Sequence, residues 1–193
     1  MKKYCVQFFF VFVLSFSGNS FAQSITNILD LKLMNSDNIE YKFSELKKSK
    51  ATVIVFFLTD CPASQNYTLT INKLQKKYSD KNISFDIIFP DTYSSLEEVR
   101  KFKIYYKIKM HVLLDSDLTL TKLLQAKVAP QCFLLDSFGK IIYEGRIDDW
   151  YFKPGKKRTV ILTNDLDIAI SKFLSGKPVK PSKTIPVGCV INY

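Results

Sequence analysis

The residues in this chain best suited to chemistry are a thiol and the proline that follows it. Cys61 closes the segment Ala51-Thr-Val-Ile-Val-Phe-Phe-Leu-Thr-Asp60 and opens Cys61-Pro62-Ala63-Ser64. The first part is apolar, β-branched and of strand length, and a helical pattern follows Pro62. Proline is favoured at the first position of a helix, where its missing N–H costs nothing. Cys61 is therefore expected at or just before a helix N-terminus. Free backbone N–H groups and the helix dipole stabilise a thiolate there, and the thiolate is the reactive form of cysteine. The alternative is a buried cysteine at a strand end. Asp60, directly before Cys61, opposes the dipole, because a neighbouring carboxylate raises a thiol pKa.

The elements that must position this thiol alternate along the chain. Thr52 to Leu58 reads as a central strand covered on both faces. Tyr67, Leu69, Ile71, Leu74 and Tyr78 recur at roughly helical spacing after Pro62. Ile83 to Phe89 is a second strand. Ser94 or Ser95, with Glu97 and Glu98 following, marks a capped helix that buries Leu96, Val99, Phe102 and Tyr106. His111 to Asp115 is a short strand and Asp117 to Gln125 a short helix. Gln131 to Asp136, the turn Ser137-Phe-Gly139 and Lys140 to Gly145 form a hairpin. Asn164 or Asp165 caps a last helix with Leu166, Ile168, Ile170 and Phe173 facing a core, and Gly176 stops it. Lys177 to Tyr193 reads as an extended tail. Ahead of all this, Ile39 to Phe43 alternates like a half-buried strand after the turn Asn35-Ser-Asp-Asn38. Strands alternating with helices and ending in a hairpin and a helix argue for an α/β domain around a mixed sheet.

The first 22 residues have the pattern of an export signal. Lys2 and Lys3 precede an apolar run from Tyr4 to Phe16, and Ser20 and Ala22 offer a cleavage site before Gln23. The run is short for a membrane span, which needs about 20 residues; the alternative reading is an uncleaved anchor. The expected organisation is residues 1–22 as signal peptide, 23–176 as one domain, and 177–193 as a tail containing Cys189. The mature protein is then exported, periplasmic or extracellular, with no stable membrane span. Such a compartment permits disulfides. Of the 4 cysteines in the chain, Cys5 leaves with the signal, and Cys61, Cys132 and Cys189 remain. An odd number means that one thiol is free or pairs with another molecule. The net charge of +10 comes from scattered lysines rather than a stripe of arginine interleaved with aromatics, so no nucleic-acid partner is expected. There is no phosphate loop, Ser-His-Asp arrangement or zinc spacing, and no cofactor or metal is expected. His111, the only histidine, lacks the closely spaced cysteines a copper site would need.

With these residues in place, the chain resembles the thioredoxin fold, and within it the redoxin group that includes peroxiredoxin-like proteins of the alkyl hydroperoxide reductase/thiol-specific antioxidant type. The carriers are Phe57-Leu-Thr-Asp-Cys61-Pro62, Ala129-Pro130, Leu134-Leu-Asp136-Ser-Phe-Gly139 and Gly145-Arg-Ile-Asp-Asp149, with a terminal Gly188-Cys189. The resemblance implies a thioredoxin-like central mixed sheet flanked by helices, with Cys61 as the nucleophile. Pro130 looks like the cis-proline whose loop, with Ala129, contacts an extended substrate segment; the other reading is an ordinary loop proline. Two departures matter. Thioredoxins carry a second cysteine three residues after the first, where this chain has Ser64. Peroxiredoxins carry a threonine three residues before the cysteine and a proline four before that, where this chain has Leu58 and Ile54. Neither a local dithiol nor the usual peroxide-orienting hydroxyl is present.

On the resemblance, Cys189 is a distal resolving cysteine brought back by the tail; it pairs instead with Cys132 or with another protein on the alternative readings. Cys132 reads as a core side chain. Arg146 either steadies a thiolate or binds a substrate carboxylate, or else pairs with Asp148 or Asp149 to fix the hairpin end, and Trp150 and Tyr151 line a groove or cap the core. The expected function is an exported thiol-disulfide oxidoreductase or peroxiredoxin-like protein. It acts on protein or small-molecule thiols and disulfides and is recharged by an external thiol. The alternative is a non-catalytic binding or adaptor module of the same fold.

Overall fold

The computed structural model describes residues 27–90 and 94–192. The expected signal peptide and Cys5 lie outside the described residues. Among the described residues no helix is long and apolar enough to cross a membrane.

Strand β3 (Ala51–Phe56) is buried at every position, as its unbroken β-branched and aromatic sequence requires. It pairs in parallel with β4 (Ile83–Phe89) on one side and antiparallel with β7 (Gln131–Asp136) on the other. With β1 (Lys32–Asn35), β2 (Glu40–Lys42), β5 (His111–Leu114) and β8 (Ile141–Gly145) it forms a seven-stranded mixed sheet in the order β2-β1-β5-β4-β3-β7-β8. Side chains alternate across β3 with the period of two that a pleated strand imposes. Val53, Val55 and Phe57 join one core with helices α1 (Pro62–Lys77), α2 (Leu96–Tyr105) and α4 (Asp165–Leu174). Ile54 and Phe56 join a second core on the opposite face, with the 3-10 segment Phe43–Lys48 and helix α3 (Thr119–Leu124). This is the thioredoxin-like architecture, a mixed central sheet flanked by helices.

Local chemistry explains the boundaries. Helix α1 opens on Pro62 with Cys61 in the N-cap position. Helix α2 is capped by Ser95, whose hydroxyl accepts from the Glu98 N–H while the Glu98 carboxylate accepts from the Ser95 N–H, the reciprocal pattern of a capping box. The β7–β8 hairpin turns at Gly139, which has φ +80, and the Asp136 carboxylate accepts from the N–H groups of Phe138 and Lys140.

Two expected core positions are corrected. Leu69 and Ile168 are 60% and 44% exposed. Leu69 lies two residues from Tyr67, and Ile168 two from Leu166. Two steps along a helix turn the side chain by about 200°, away from the buried stripe. Ala169 takes the inward place beside Leu166 and Ile170.

The extended tail lies against the sheet. The Glu144 N–H donates to the Ser182 carbonyl, and the Thr184 N–H donates back to the Glu144 carbonyl. Farther on, β11 (Cys189–Val190) pairs antiparallel with β6 (Val128–Ala129), and the Ile191 side chain is buried in the second core.

Candidate active site

The carboxyl ends of parallel strands are where α/β sheets commonly place ligand sites, and Cys61 follows the carboxyl end of β3. The Leu58 carbonyl accepts from the Cys61 N–H at 3.3 Å, which closes a turn between strand and helix. Ser64 occupies the position of a second thioredoxin cysteine. It is fully buried, and its hydroxyl accepts from the Leu58 N–H at 3.1 Å. That hydroxyl therefore fastens the turn that presents Cys61. Thr59, one place off the peroxiredoxin position, is hydrogen-bonded to Ser94 at 2.7 Å.

Cys61 and Cys189 form a disulfide with their Cα atoms 6.0 Å apart. The bond lies beside the β6–β11 pair, in which Cys189 is in register with Ala129. The Ala129–Pro130 peptide bond is cis. The Cys61 sulfur lies 3.3 Å from the Ala129 carbonyl oxygen; a disulfide sulfur carries no hydrogen, so this is a packing contact in the oxidised protein. Asp60 is exposed, so water screens its charge from the neighbouring sulfur. The sequence analysis did not anticipate what Gly188 does. A Cβ there would collide with the Ala129 carbonyl, so only glycine lets the tail lie this close to β6. The available signal was a glycine directly before a cysteine in a proline-rich tail.

The remaining candidates divide. Cys132 is fully buried in β7 and unpaired, its sulfur 3.3 Å from the Gly145 carbonyl. Burial pushes its thiol pKa well up, which keeps it protonated. The Arg146 guanidinium is held by Asp165, at 2.8 Å, and donates to the Thr163 hydroxyl at 3.3 Å. Burial lowers its pKa, but the bond and charge of Asp165 outweigh that and raise it overall. The expected partners of Arg146 are thus corrected. Asp149 instead pairs with Arg158 at 3.2 Å, and Asp148 accepts from the Tyr67 hydroxyl and, at 2.9 Å, from the Trp150 N–H. Burial raises the pKa of Asp148; one of its oxygens is buried without a partner. His111 bonds Asp86 at 3.0 Å, and that bond raises its pKa; it is not brought to Cys61. Among the described residues no group of His, Cys, Asp and Glu is arranged to hold a metal.

A cleft of about 430 Å³ adjoins the disulfide, lined by Pro62, Ala63, Asn66, Tyr151, Lys157 and Cys189 among others. Its wall includes the hairpin of β9 (Tyr151–Lys153) and β10 (Lys156–Lys157). Asn66 donates to the Tyr151 hydroxyl at 2.9 Å. The Lys157 ammonium sits 4.6 Å from the Trp150 ring centre and 5.2 Å from that of Tyr151. Tyr151 thus lines the groove, and Trp150 stacks behind it against Tyr67.

The Redoxin family model matches residues 16–150. The chain belongs to this family. Two solved structures resemble this redoxin over most of its length, a hypothetical protein of Sinorhizobium meliloti and an uncharacterized conserved protein of Geobacillus kaustophilus. Each is 25% identical with a TM-score of 0.75; they cover 87% of this chain and, respectively, 93% and 90% of their own. A secreted disulfide oxidoreductase of Mycobacterium tuberculosis, homologous to E. coli DsbE, shares the fold at 14% identity and a TM-score of 0.56, with 77% of this chain and 96% of that chain covered. No curated protein matches the sequence. Membership of the Redoxin family, together with a disulfide at a helix start, supports a thiol-based redox role.

Proposed function

We propose that this redoxin is an exported thiol-disulfide oxidoreductase in which Cys61 is the nucleophile and Cys189 its resolving partner. The observation that carries the reading is the Cys61–Cys189 disulfide at the start of α1, alongside the antiparallel pairing of the tail with Ala129. In the reduced protein, the Cys61 thiolate at the N-terminus of a 16-residue helix is favoured by the free N–H groups and the dipole. It attacks one sulfur of a substrate disulfide, and the other substrate sulfur departs as a thiolate and takes a proton. The mixed disulfide at Cys61 is then attacked by the Cys189 thiolate, which closes the internal disulfide and releases the second substrate thiol. Two electrons pass to the substrate, and an external thiol must restore them. Ser64 carries no thiol, so the cycle has no partner within the turn and draws on the tail.

The competing reading is an adaptor module in which the same disulfide only clamps the tail. The near-complete burial of Cys61, at 1% exposure, favours it. Peptide mapping of the full protein before and after cycles of mild reduction and exposure to a disulfide substrate separates the two. The oxidoreductase reading expects the Cys61–Cys189 bond to open and close reversibly while substrate is reduced. In a Cys189→Ser variant, substrate should accumulate as a mixed disulfide on Cys61. A bond that opens only when the protein unfolds supports the clamp and overturns the exchange.

A further inference from the structure

The two cysteines of the disulfide differ in exposure. Cys61 is 1% exposed and packed within the first core, with the Ala129 carbonyl 3.3 Å from its sulfur. Cys189 is only partly buried, and it, rather than Cys61, lines the 430 Å³ cleft. The volume of that cleft lies within the roughly 300–1,000 Å³ typical of sites for small molecules. Exchange rates depend on which sulfur an incoming thiolate can reach and on how good a leaving group the other one is. Both considerations select the same sulfur. Attack from the cleft reaches Cys189, and the group then expelled is Cys61, whose thiolate leaves at a helix N-terminus that stabilises negative charge. The attacking thiolate is an anion, and Lys157 places a cation on the cleft wall.

Building on the exchange reading above, we infer that reducing equivalents enter this protein at the sulfur of Cys189, through the Tyr151–Lys157 cleft. The reductant is a dithiol, or two monothiols in succession. Its first thiolate bonds to the Cys189 sulfur as the Cys61–Cys189 bond breaks, and the electron pair leaves on Cys61. Its second thiolate attacks the reductant sulfur of that adduct and displaces Cys189, which takes a proton. The reductant ends as a disulfide and the protein as a dithiol, a two-electron transfer in which every sulfur is accounted for. Cys61 is thereby freed in its nucleophilic form, and the exit of electrons at Cys61 is separate from their entry at Cys189.

The test uses the oxidised full-length protein and two probes, glutathione and sulfite. Each is allowed to open only a small fraction of the disulfide before an acid quench. Mass-spectrometric peptide mapping at low pH then locates the adduct. Sulfite adds as an S-sulfonate to the sulfur it attacks and leaves the other as a thiol, which gives a second reading with a smaller nucleophile; the early acid quench stops the freed thiolate from displacing either adduct. The expected result is adduct on Cys189 in at least about tenfold excess over Cys61 with both probes. Adduct mainly on Cys61, or evenly on both, overturns the entry through Cys189 and leaves the exchange reading standing. A folded protein whose disulfide yields to neither probe overturns the exchange reading and the entry route together.

Discussion

Cys61 and Cys132 are almost equally buried, at 1% and 0% exposure, yet one is joined in a disulfide and the other is a free thiol. Cys132 sits within β7, in register with Val55 of β3 and Gly145 of β8. Burial, with the nearby charges of Asp165 and Asp148 adding to it, holds its thiol pKa well up. Cys61 stands where β3 has ended and α1 begins, and what covers it is a segment of its own chain joined to it by a bond that can be broken. On the exchange reading proposed above, burial therefore does not distinguish a reactive cysteine from an inert one. The nature of the cover does: one is a permanent sheet, the other a strand of two residues held in part by the very sulfur it hides.

The largest expected effect comes from removing the nucleophile. Cys61→Ser should reduce turnover of a disulfide substrate to background, whereas Cys132→Ala leaves it intact; a steady-state assay of both variants checks the contrast. If Cys132→Ala abolished turnover in a folded protein, the division drawn between the two sites would fail.

Next comes the fit of the cover. Gly188→Ala forces a Cβ against the Ala129 carbonyl, and overpacking of this kind costs about 1–3 kcal/mol. That cost falls on the docked, oxidised form, so the disulfide becomes easier to reduce. Its potential should rise by about 30 mV for each 1.4 kcal/mol, as read by equilibration in defined ratios of reduced to oxidised dithiothreitol. An unchanged potential would show that the tail's seat on β6 contributes nothing to the bond.

A smaller change is expected in the core. Cys132→Ala leaves a cavity costing about 1–2 kcal/mol, which thermal unfolding should record as a melting temperature lower by a few degrees.

The smallest perturbation is a change of pH alone. The thiol pKa of Cys132 is raised by burial, so its protonated form persists in the folded state where an exposed thiol has already ionised. In the reduced native protein at pH 9, iodoacetamide should label Cys61 and Cys189 and spare Cys132 until denaturant is added. Rapid labelling of Cys132 in the native state would remove the distinction that burial makes.

The sequence made the start of α1 legible because everything that defines it is local: β-branched residues through Phe56, a cysteine, a proline, and Tyr67, Ile71 and Leu74 on one helical stripe. The hairpin at Gly139 and the capped α2 were legible for the same reason. The partner of Cys61 was not. The bond spans 128 residues, and whether Cys189 joins Cys61, Cys132 or another protein depends on which way a strand side chain faces and on where a tail returns. Cys132 points into a filled core, a fact fixed only once β3, β7 and β8 are in register. Arg146 was misassigned similarly, because Asp148 and Asp149 are its near neighbours in sequence while Asp165 is 19 residues away and reaches it only through the placement of α4. The exposed Leu69 and Ile168 show the limit of reading hydrophobicity without angle.

The tail is fastened twice, by Ser182 and Thr184 to Glu144 and by Cys189 and Val190 to β6, with residues 185–188 between the two attachments. Reduction cuts only the sulfur link at the second. The first keeps Cys189 leashed by a few residues, so re-closure of the disulfide is a first-order event that dilution does not slow. Short tethers of this kind hold their cargo at an effective concentration of about millimolar. In the cycle proposed above, any other thiol seeking the mixed disulfide on Cys61 would compete against that local supply. Lengthening the chain between Thr184 and Gly188 would weaken the supply without touching a single reacting atom.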